Sequence, residues 1–437
     1  MSPRIYIETY GCQMNVADSE LMLGILGREG YARTDAPAEA DVMLVNTCAV
    51  RDNAEQRVIG RMGELQRYKR PGGVLGVVGC MAQRLGPLLL EQVPRVDLVV
   101  GPDAYRNLPQ LIRLAQGGQR SSDTEFRSWE HYEDVPAVRQ SGPTAFVTVQ
   151  RGCDYRCTFC IVPQTRGPER SRLLSDVVGE VAALASQGTS QVTLLGQTVN
   201  SYHDGQRDFA DLLRAVGAVD GIRRVRFTSP YPTEFTPRVI QAMAETPAVC
   251  AHVHLPVQSG SNAVLRRMLR RYTRERYLEV VSQLRAALPG ITFSTDIIVG
   301  FPGETDAQFE ETLSLVTDAD FDDAYTFKYS VRDGTPAVRL RDHVLDEVAS
   351  ARLERLIDGV RSNARRKNAG RVGQTHEALV ERRAKRGDLM LARTRSNHLV
   401  LLDLPPDSVG EYHTVRLTGT TGSTFTGAVV TPALAVL

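Results

Sequence analysis

Short apolar runs alternate with longer amphipathic stretches along most of this chain, and the period of each names the element it predicts. Near the N-terminus, residues 4–9, 41–45, 74–78 and 98–100 are apolar runs of strand length. Between them, 19–29 and 54–68 carry apolar residues at helical spacing. This order predicts an α/β domain, a doubly wound parallel sheet covered on both faces. A polar stretch punctuated by Gly, Ser and Pro follows at 118–138 and reads as a surface linker. From residue 145 the alternation resumes, with strands at 145–150, 191–195, 224–228, 252–255, 292–299 and 324–329. Helical stretches at 176–187, 209–216, 237–244, 274–287 and 306–318 separate them. Six parallel β/α units predict a partial (β/α)6 barrel with its active site at the carboxyl ends of the strands. After a helix at 346–367, five short runs at 376–380, 389–394, 398–402, 412–417 and 424–430 predict a small all-β barrel. The predicted domains are therefore 1–117, a linker at 118–138, 139–369 and 370–437.

Charge and cysteine usage narrow the class. With 52 Lys and Arg against 51 Asp and Glu in 437 residues, the net charge of +1 gives no global attraction to a polyanion. Nucleic-acid contact then has to come from local patches. The start of the chain lacks a basic segment followed by a long apolar one, and no apolar run reaches transmembrane length. A cytoplasmic monomer with no membrane segment is expected. Seven cysteines without a secretion signal point to a reducing compartment and to thiolate ligands rather than disulfides.

Those cysteines are patterned. Cys153, Cys157 and Cys160 form Cys-x3-Cys-x2-Cys directly after a strand, a spacing suited to a soft metal centre. Three ligands leave one iron of a 4Fe-4S cluster open to a small molecule. A zinc site completed by a distant ligand, or three plain thiols, is the alternative. Cys12, Cys48 and Cys80 each follow the carboxyl end of a predicted parallel strand, where ligands of such sheets gather, so they predict a second three-Cys site. Nearby, Asn15 and Asn46 are suited to hydrogen-bonding a cluster sulfur or a substrate, or equally to capping a helix. In the central domain Gly196-Gln197, Ser229, Gln258 and Asp296 lie at or near strand ends. His252 and His254 share one strand face, which suits a core or rim role, and Cys250 reads as an unliganded thiol. Arg166 and Arg170 beside the Cys triplet suit a phosphate-bearing substrate, or else a solvated face. Lys and Arg outnumber acids in 361–395, a patch containing Arg393 and Arg395 that suits RNA, or else belongs to an accessory barrel.

Taken together these motifs resemble a known family. Arg151-Gly152-Cys153-x3-Cys157-Thr158-Phe159-Cys160-Ile161-Val162-Pro163 resembles the cluster loop of radical S-adenosylmethionine (radical SAM) enzymes. An upstream three-Cys domain and a C-terminal β-barrel narrow the resemblance to the methylthiotransferases, whose tail is the RNA-binding TRAM domain. Tyr10-Gly11-Cys12-Gln13-Met14-Asn15, His254-Leu255-Pro256-Val257-Gln258-Ser259-Gly260-Ser261 and Asp296-Ile297-Ile298-Val299-Gly300-Phe301-Pro302-Gly303-Glu304-Thr305 are similar to the branch acting on N6-isopentenyladenosine of tRNA. Sibling branches, acting on threonylcarbamoyl-adenosine or on a ribosomal-protein aspartate, usually differ after the first Cys. A zinc- and RNA-binding protein is disfavoured because structural zinc sites close with four ligands.

The resemblance implies two 4Fe-4S clusters and S-adenosylmethionine. The cluster on Cys153, Cys157 and Cys160 would cleave S-adenosylmethionine to a radical, and that on Cys12, Cys48 and Cys80 would carry the sulfur to be methylated and attached at C2. It implies that Phe159, Gly196, Gln197, Ser229, Gln258 and Asp296 bind the cofactor, and that Asn15, Asn46, Arg166, Arg170, Arg393 and Arg395 face substrate. It also implies an electron donor such as flavodoxin or ferredoxin and a sulfur-delivery system. Thr198 departs from the family pattern, which usually has Asn after Gly-Gln.

Overall fold

The computed structural model describes residues 2–49, 52–135, 137–139 and 142–430, with the backbone alone at 52–56. Two compact units emerge. One is residues 1–140 with 148–172 and 195–197; the other is 141–147 with 173–194 and 198–437.

The first unit runs through β1 (Arg4–Tyr10), α1 (Gln13–Arg28), β2 (Ala32–Arg33), β3 (Val42–Thr47), α2 (Asp52–Leu65), β4 (Val74–Gly79), α3 (Cys80–Leu85), α4 (Leu88–Gln92), β5 (Leu98–Val100), α5 (Leu108–Gln116) and β6 (Ser121–Asp123). The strands form one sheet ordered β2-β1-β3-β4-β5-β6, with every neighbouring pair parallel. Every residue of β3 and β4 is buried, as continuous apolar strands require when both faces are covered. The two-residue period sorts them: Val42 and Leu44 join Met22, Leu26 and Ile112 on one side. Met43 and Val45 join Val58, Met62 and Met81 on the other. The stretch predicted as a linker behaves differently. Its residues Ser121–Asp123 form the edge strand β6, and Tyr132 and Val135 enter the core. Beyond β7 (Thr144–Thr148), the segment 148–172 adds β8 (Gln150–Arg151), α6 (Val162–Arg166) and β9 (Arg170–Ser171), with β8 antiparallel to β9. The predicted boundary at 139 is crossed because buried ion pairs tie this segment to the first sheet's helices and loops.

The second unit contains α7 (Leu174–Ser186), β10 (Gln191–Leu195), α8 (Phe209–Gly217), β11 (Arg224–Phe227), α9 (Pro237–Glu245), β12 (His252–His254), α10 (Asn262–Arg267), α11 (Arg274–Ala287), β13 (Thr292–Val299), α12 (Asp306–Ala319), β14 (Asp323–Lys328) and α13 (Asp346–Ala369). Two three-stranded sheets, β11-β10-β7 and β12-β13-β14, make the six strands of the partial barrel. An isolated parallel bridge pairs Val225 of β11 with Val249, ahead of β12. The chain ends in a closed barrel of β15 (Thr375–Arg383), β16 (Met390–Thr394), β17 (Leu399–Leu402), β18 (Tyr412–Thr420) and β19 (Thr424–Val429), packed around Val380, Ala392, Val400, Val415 and Phe425.

Arginines fasten this small barrel to the N-terminal ends of the central strands. Arg224, fully buried at the first position of β11, donates to Arg393 O at 2.7 Å, Glu377 O at 3.0 Å and Glu377 Oε1 at 2.9 Å. Arg226 donates to Thr394 O at 2.7 Å and Arg395 O at 3.2 Å. Thr292, first in β13, donates to Ser396 O at 2.8 Å. Arg223 lies 3.6 Å over the ring of Tyr412.

Arg224→Met is expected to cost on the order of 3 kcal/mol, because it leaves buried acceptors unpaired. Half-exposed Arg223→Met costs under about 1 kcal/mol. Faster hydrogen exchange at residues 393–396 in the first variant alone is the expected reading; no change there refutes the anchor. A pH effect follows from His398, whose ring packs edge-on against Phe425 at 5.4 Å and meets Ser396 Oγ at 2.9 Å. Burial, with the charge of Arg371 adding, holds His398 down to about 4. The unfolded imidazole binds protons at higher pH than the folded one, so stability falls as pH drops from 6.5 toward 4. In an acid titration monitored by exchange of the small barrel, His398→Gln flattens this loss.

Candidate metal centre

The register of the first sheet aligns Tyr10 with Thr47 and Thr47 with Gly79. Cys48 and Cys80 are the next residues beyond that level and Cys12 is two beyond, with Cys48 N donating to Tyr10 O at 2.9 Å. Three adjacent parallel strands thus deliver three thiols to one edge. Cys48 and Cys80 are buried, whereas Cys12 is exposed at the head of α1. Gly79 has φ +93°, and a β-carbon there would strike Asn46 Oδ1 and Thr47 O, so only glycine lets the chain turn into Cys80.

The thiols sense one another. A hydrogen bond with Cys48, helped by the charge of Arg166, brings Cys12 down to about 6. Burial pushes Cys80 up, against the pull of the Arg166 guanidinium. That guanidinium reaches Cys80 directly, Nε donating to Sγ at 3.2 Å.

A buried polar lattice holds these strand ends. Asn15 Nδ2 donates to Asn46 Oδ1 at 3.0 Å and to Thr47 O at 3.3 Å, and its Oδ1 accepts from Cys12 N at 3.3 Å. Asn46 Nδ2 donates to Asn15 O at 2.7 Å and to Ser19 Oγ at 2.9 Å. Both asparagines are fully buried. Asn15 closes the capping box of α1 and lies 3.4 Å from Cys12 Sγ, and Asn46 ties that turn to β3.

The second cysteine set belongs to the same unit. Gly152 has φ +78°, and a β-carbon on it would meet Gly167 O and Pro168 O. Cys153 N donates to Gly167 O at 3.1 Å and Cys160 N to Cys157 O at 3.0 Å, which curls the loop back on itself. Cys157 is buried, with Cys153 and Cys160 half-buried, as is Phe159. Ile161 packs against Ala49 and Cys80, so the two sets meet there. None of the seven cysteines, Cys250 included, is in a disulfide.

Arg166 and Arg170, expected at a phosphate-bearing substrate or on a solvated face, are buried in ion pairs. Arg166 Nη2 pairs with Asp18 Oδ2 at 2.7 Å, and Arg151 Nη1 pairs with Asp18 Oδ1 at 3.0 Å. Arg170 pairs with Asp103 through both terminal nitrogens, at 2.9 and 2.8 Å. All four of these Arg and Asp side chains beyond Arg151 are, like it, under a tenth exposed. Their partners lie far off in sequence, and Asp18 carried no signal beyond its place on the buried face of α1. Arg393 is held by Glu381 Oε1 at 2.8 Å and Asn397 Oδ1 at 3.0 Å, and Arg395 by Val249 O at 3.0 Å. These two belong to the barrel anchor.

The remaining candidates fall in both units. In the first, Gly196 is buried, and Gln197 Oε1 is buried without a hydrogen-bond partner among the described residues. In the second, Ser229 after β11 and Gln258 after β12 have φ of +58° and +72°, a region side chains enter at a cost that functional sites often carry. Gln258 N donates to Asp296 O at 2.9 Å, and Ile298 N to Gln258 O at 2.9 Å, which seats Gln258 beside β13. Asp296 Oδ2 lies 3.4 Å from His254 Nε2, and His254 Nδ1 meets Ser294 Oγ at 3.0 Å. His254 thus has a polar role as the neighbour of Asp296.

The donor sets fit iron–sulfur clusters. Each offers three soft thiolates from a backbone that glycines force into place. Among the described residues no three Cys, His, Asp or Glu side chains stand close enough to hold a single metal ion. A 4Fe-4S cluster makes no such demand, since each thiolate binds its own iron. Within the second unit, the strained Ser229 and Gln258 are features a bound S-adenosylmethionine would account for.

Comparison with known proteins agrees with this chemistry. Residues 4–101 match the uncharacterized protein family UPF0004, and residues 147–316 match the radical SAM superfamily. The chain is 44% identical over 427 residues to the tRNA-2-methylthio-N(6)-dimethylallyladenosine synthase of Alkalilimnicola ehrlichii, covering 96% of this chain and 95% of that one. It is 45% identical over 446 residues to the same-named protein of Geobacillus kaustophilus, covering 99% and 83%. Among solved structures, the radical S-adenosylmethionine methyltransferase TsrM from Kitasatospora setae, with cobalamin and a 4Fe-4S cluster bound, has a TM-score of 0.60 at 16% identity, covering 77% of each chain. The cobalamin-dependent S-adenosylmethionine radical enzyme OxsB has a TM-score of 0.53 at 12% identity, over 82% of this chain and 56% of that one. Those two likenesses concern the fold. At the identity and coverage of its closer relatives, this chain belongs to the tRNA-2-methylthio-N(6)-dimethylallyladenosine synthase family of radical SAM enzymes.

Proposed function

We propose that this protein is a radical SAM methylthiotransferase that converts N6-isopentenyladenosine next to the anticodon of a tRNA to 2-methylthio-N6-isopentenyladenosine. The observation that carries the reading is the pairing of two three-Cys sets in one compact unit, one at the sheet edge and one in the glycine-bounded loop. Cys153, Cys157 and Cys160 hold one 4Fe-4S cluster, and Cys12, Cys48 and Cys80 hold the other. When bound, these clusters and S-adenosylmethionine supply a carbon-centred radical and the sulfur and methyl groups of the product.

The chain's own part is to bind, orient and exclude water. Gln197 Oε1, unpartnered and buried, is positioned to accept a hydrogen bond from cofactor. Ser229 and Gln258, held in left-handed conformations at strand ends, supply polar side chains to the cofactor. Asp296, oriented by His254, offers a carboxylate, and Phe159 and Gly196 complete the cofactor set. An adenine in an anticodon loop is unpaired, so presenting it requires unstacking rather than duplex opening. The tRNA backbone is met by exposed Arg382 and Arg383 at the end of β15 and Lys385 and Arg386 in the turn to β16, since Arg393 and Arg395 are occupied in the anchor. A low-potential electron donor such as flavodoxin or ferredoxin and a sulfur-delivery system complete the cycle. We place the enzyme in the cytoplasm as a monomer; no helix among the described residues is long and apolar enough to cross a membrane.

Nucleoside mass spectrometry of tRNA from a deletion strain tests the substrate. The expected outcome is loss of 2-methylthio-N6-isopentenyladenosine with accumulation of N6-isopentenyladenosine, restored by the wild type and not by Cys153→Ala. Unchanged nucleosides overturn the assignment. Anaerobic reconstitution is expected to give about eight irons per chain, and about four after Cys12→Ala, Cys48→Ala and Cys80→Ala together. Zinc without labile sulfide refutes the cluster reading. Arg382→Glu with Lys385→Glu is expected to weaken tRNA binding and to lower the salt slope by about one per lost phosphate contact. An unaltered slope removes this surface from the interface.

A further inference from the structure

Three charged side chains are buried together behind the first cysteine set, and they do not balance. Asp18 is 0% exposed, Arg166 3% and Arg151 6%. The single carboxylate serves both guanidiniums, at 2.7 and 3.0 Å, and also lies 3.4 Å from Tyr105 OH. One negative and two positive charges leave a surplus positive charge. Burying an uncompensated charge is costly enough that it persists only beside a compensating partner.

The surplus has a direction. Arg151 turns its guanidinium over the Tyr132 ring at 5.1 Å, which relieves its charge in part. Arg166 points the other way, with Nε donating to Cys80 Sγ at 3.2 Å. Its Nη1 and Nη2 are both buried without a hydrogen-bond partner among the described residues, although Nη2 is ion-paired with Asp18 Oδ2 at 2.7 Å. An arginine bonded to a thiol through Nε, ion-paired with one carboxylate and left with buried donors unsatisfied, is built to meet an anion there.

We propose that Arg166 is a positioning residue that sets the reduction potential of the cluster held by Cys12, Cys48 and Cys80, and that Asp18 holds it there and moderates its charge. The proposal rests on the reading of those cysteines as cluster ligands. The physical basis is general. A cubane with thiolate ligands is anionic and becomes more so on reduction, so a fixed cation and an N–H···S bond favour the reduced form. Removing the cation lowers the potential. Removing the carboxylate that partly neutralises that cation raises it. The opposite signs separate this role from packing, since a loosened core would expose the cluster alike in both variants.

The test uses the full-length chain with Cys153→Ala, Cys157→Ala and Cys160→Ala, so that only the cluster in question is present. After anaerobic reconstitution, its midpoint potential is measured by redox titration with electron paramagnetic resonance detection. Into this parent go Arg166→Met, Arg166→Lys and Asp18→Asn. The expected result is a more negative potential for Arg166→Met, near-parental behaviour for Arg166→Lys and a more positive potential for Asp18→Asn. Arg166→Met with about four irons per chain and an unchanged potential overturns the proposal. So does a shift of the same sign in Arg166→Met and Asp18→Asn. If Arg166→Met fails to load iron, Asp18→Asn against Arg166→Lys decides, and equal potentials in those two overturn it. A parent chain that takes up no iron refutes instead the assignment of Cys12, Cys48 and Cys80 as ligands.

Discussion

Parallel strands hydrogen-bonded in register must leave their sheet along one edge, and the first unit depends on that constraint. Tyr10, Thr47 and Gly79 stand side by side, so whatever follows them in the chain is gathered without any long loop to arrange it. Sequence separation costs nothing in this geometry, because each intervening helix returns the chain to the same starting edge. The edge also carries favourable electrostatics. Cys12 caps α1, where unpaired backbone N–H groups favour a negative charge, and the hydrogen bond with Cys48 adds to it. The thiolate is therefore favoured at Cys12, whereas burial holds Cys80 towards the neutral thiol.

What could be read from the chain alone follows from periodicity. Continuous apolar strands such as Val42–Thr47 and Val74–Gly79, the β/α alternation of the central barrel and the five short terminal strands all carry strong local patterns. Cys12, Cys48 and Cys80 could be grouped for the same reason, since a strand's carboxyl end is visible in sequence. The stretch 118–138 could not be read correctly. Ser121–Asp123 is an edge strand, half-exposed and polar, and nothing in three such residues announces pairing with β5. Tyr132 sits in the core because its ring stands between Arg151 and Tyr105, a contact made by tertiary structure alone.

Charge misled for a related reason. Arg166 and Arg170 in a Gly- and Pro-containing stretch look like a surface patch, yet sequence records a charge and not its burial. Their acids, Asp18 and Asp103, sit in other elements. Asn15 and Asn46 suit either a cap or a ligand in sequence, and the structure shows the lattice they form with Ser19, with Asn15 also beside Cys12 Sγ. By contrast the strain at Ser229 and Gln258 has no sequence signature, since neither is Gly or Asn, and it became visible only as backbone geometry.

Arginine is the common currency of the buried contacts, and this has a consequence for how the chain meets RNA. A near-neutral chain with 52 basic residues should, on charge alone, have little basic surface to spare. Its structure widens the problem by burying guanidiniums: Arg166 and Arg170 in the first unit and Arg224 in the second are almost wholly enclosed. A planar fork bridges two carbonyls or a carboxylate and a carbonyl in a fixed geometry, as Arg224 does with Arg393 O and Glu377. Cations used this way are lost to the electrostatic surface. The basic excess of the terminal barrel is thereby divided by geometry, with Arg393 and Arg395 turned inward onto Glu381 and Val249 and the cluster at 382–386 left exposed. Long-range attraction to a phosphate backbone depends on charge that solvent can see. Arg382 and Arg383 at the end of β15, with Lys385 and Arg386 in the turn to β16, are among the cations of this barrel that solvent sees.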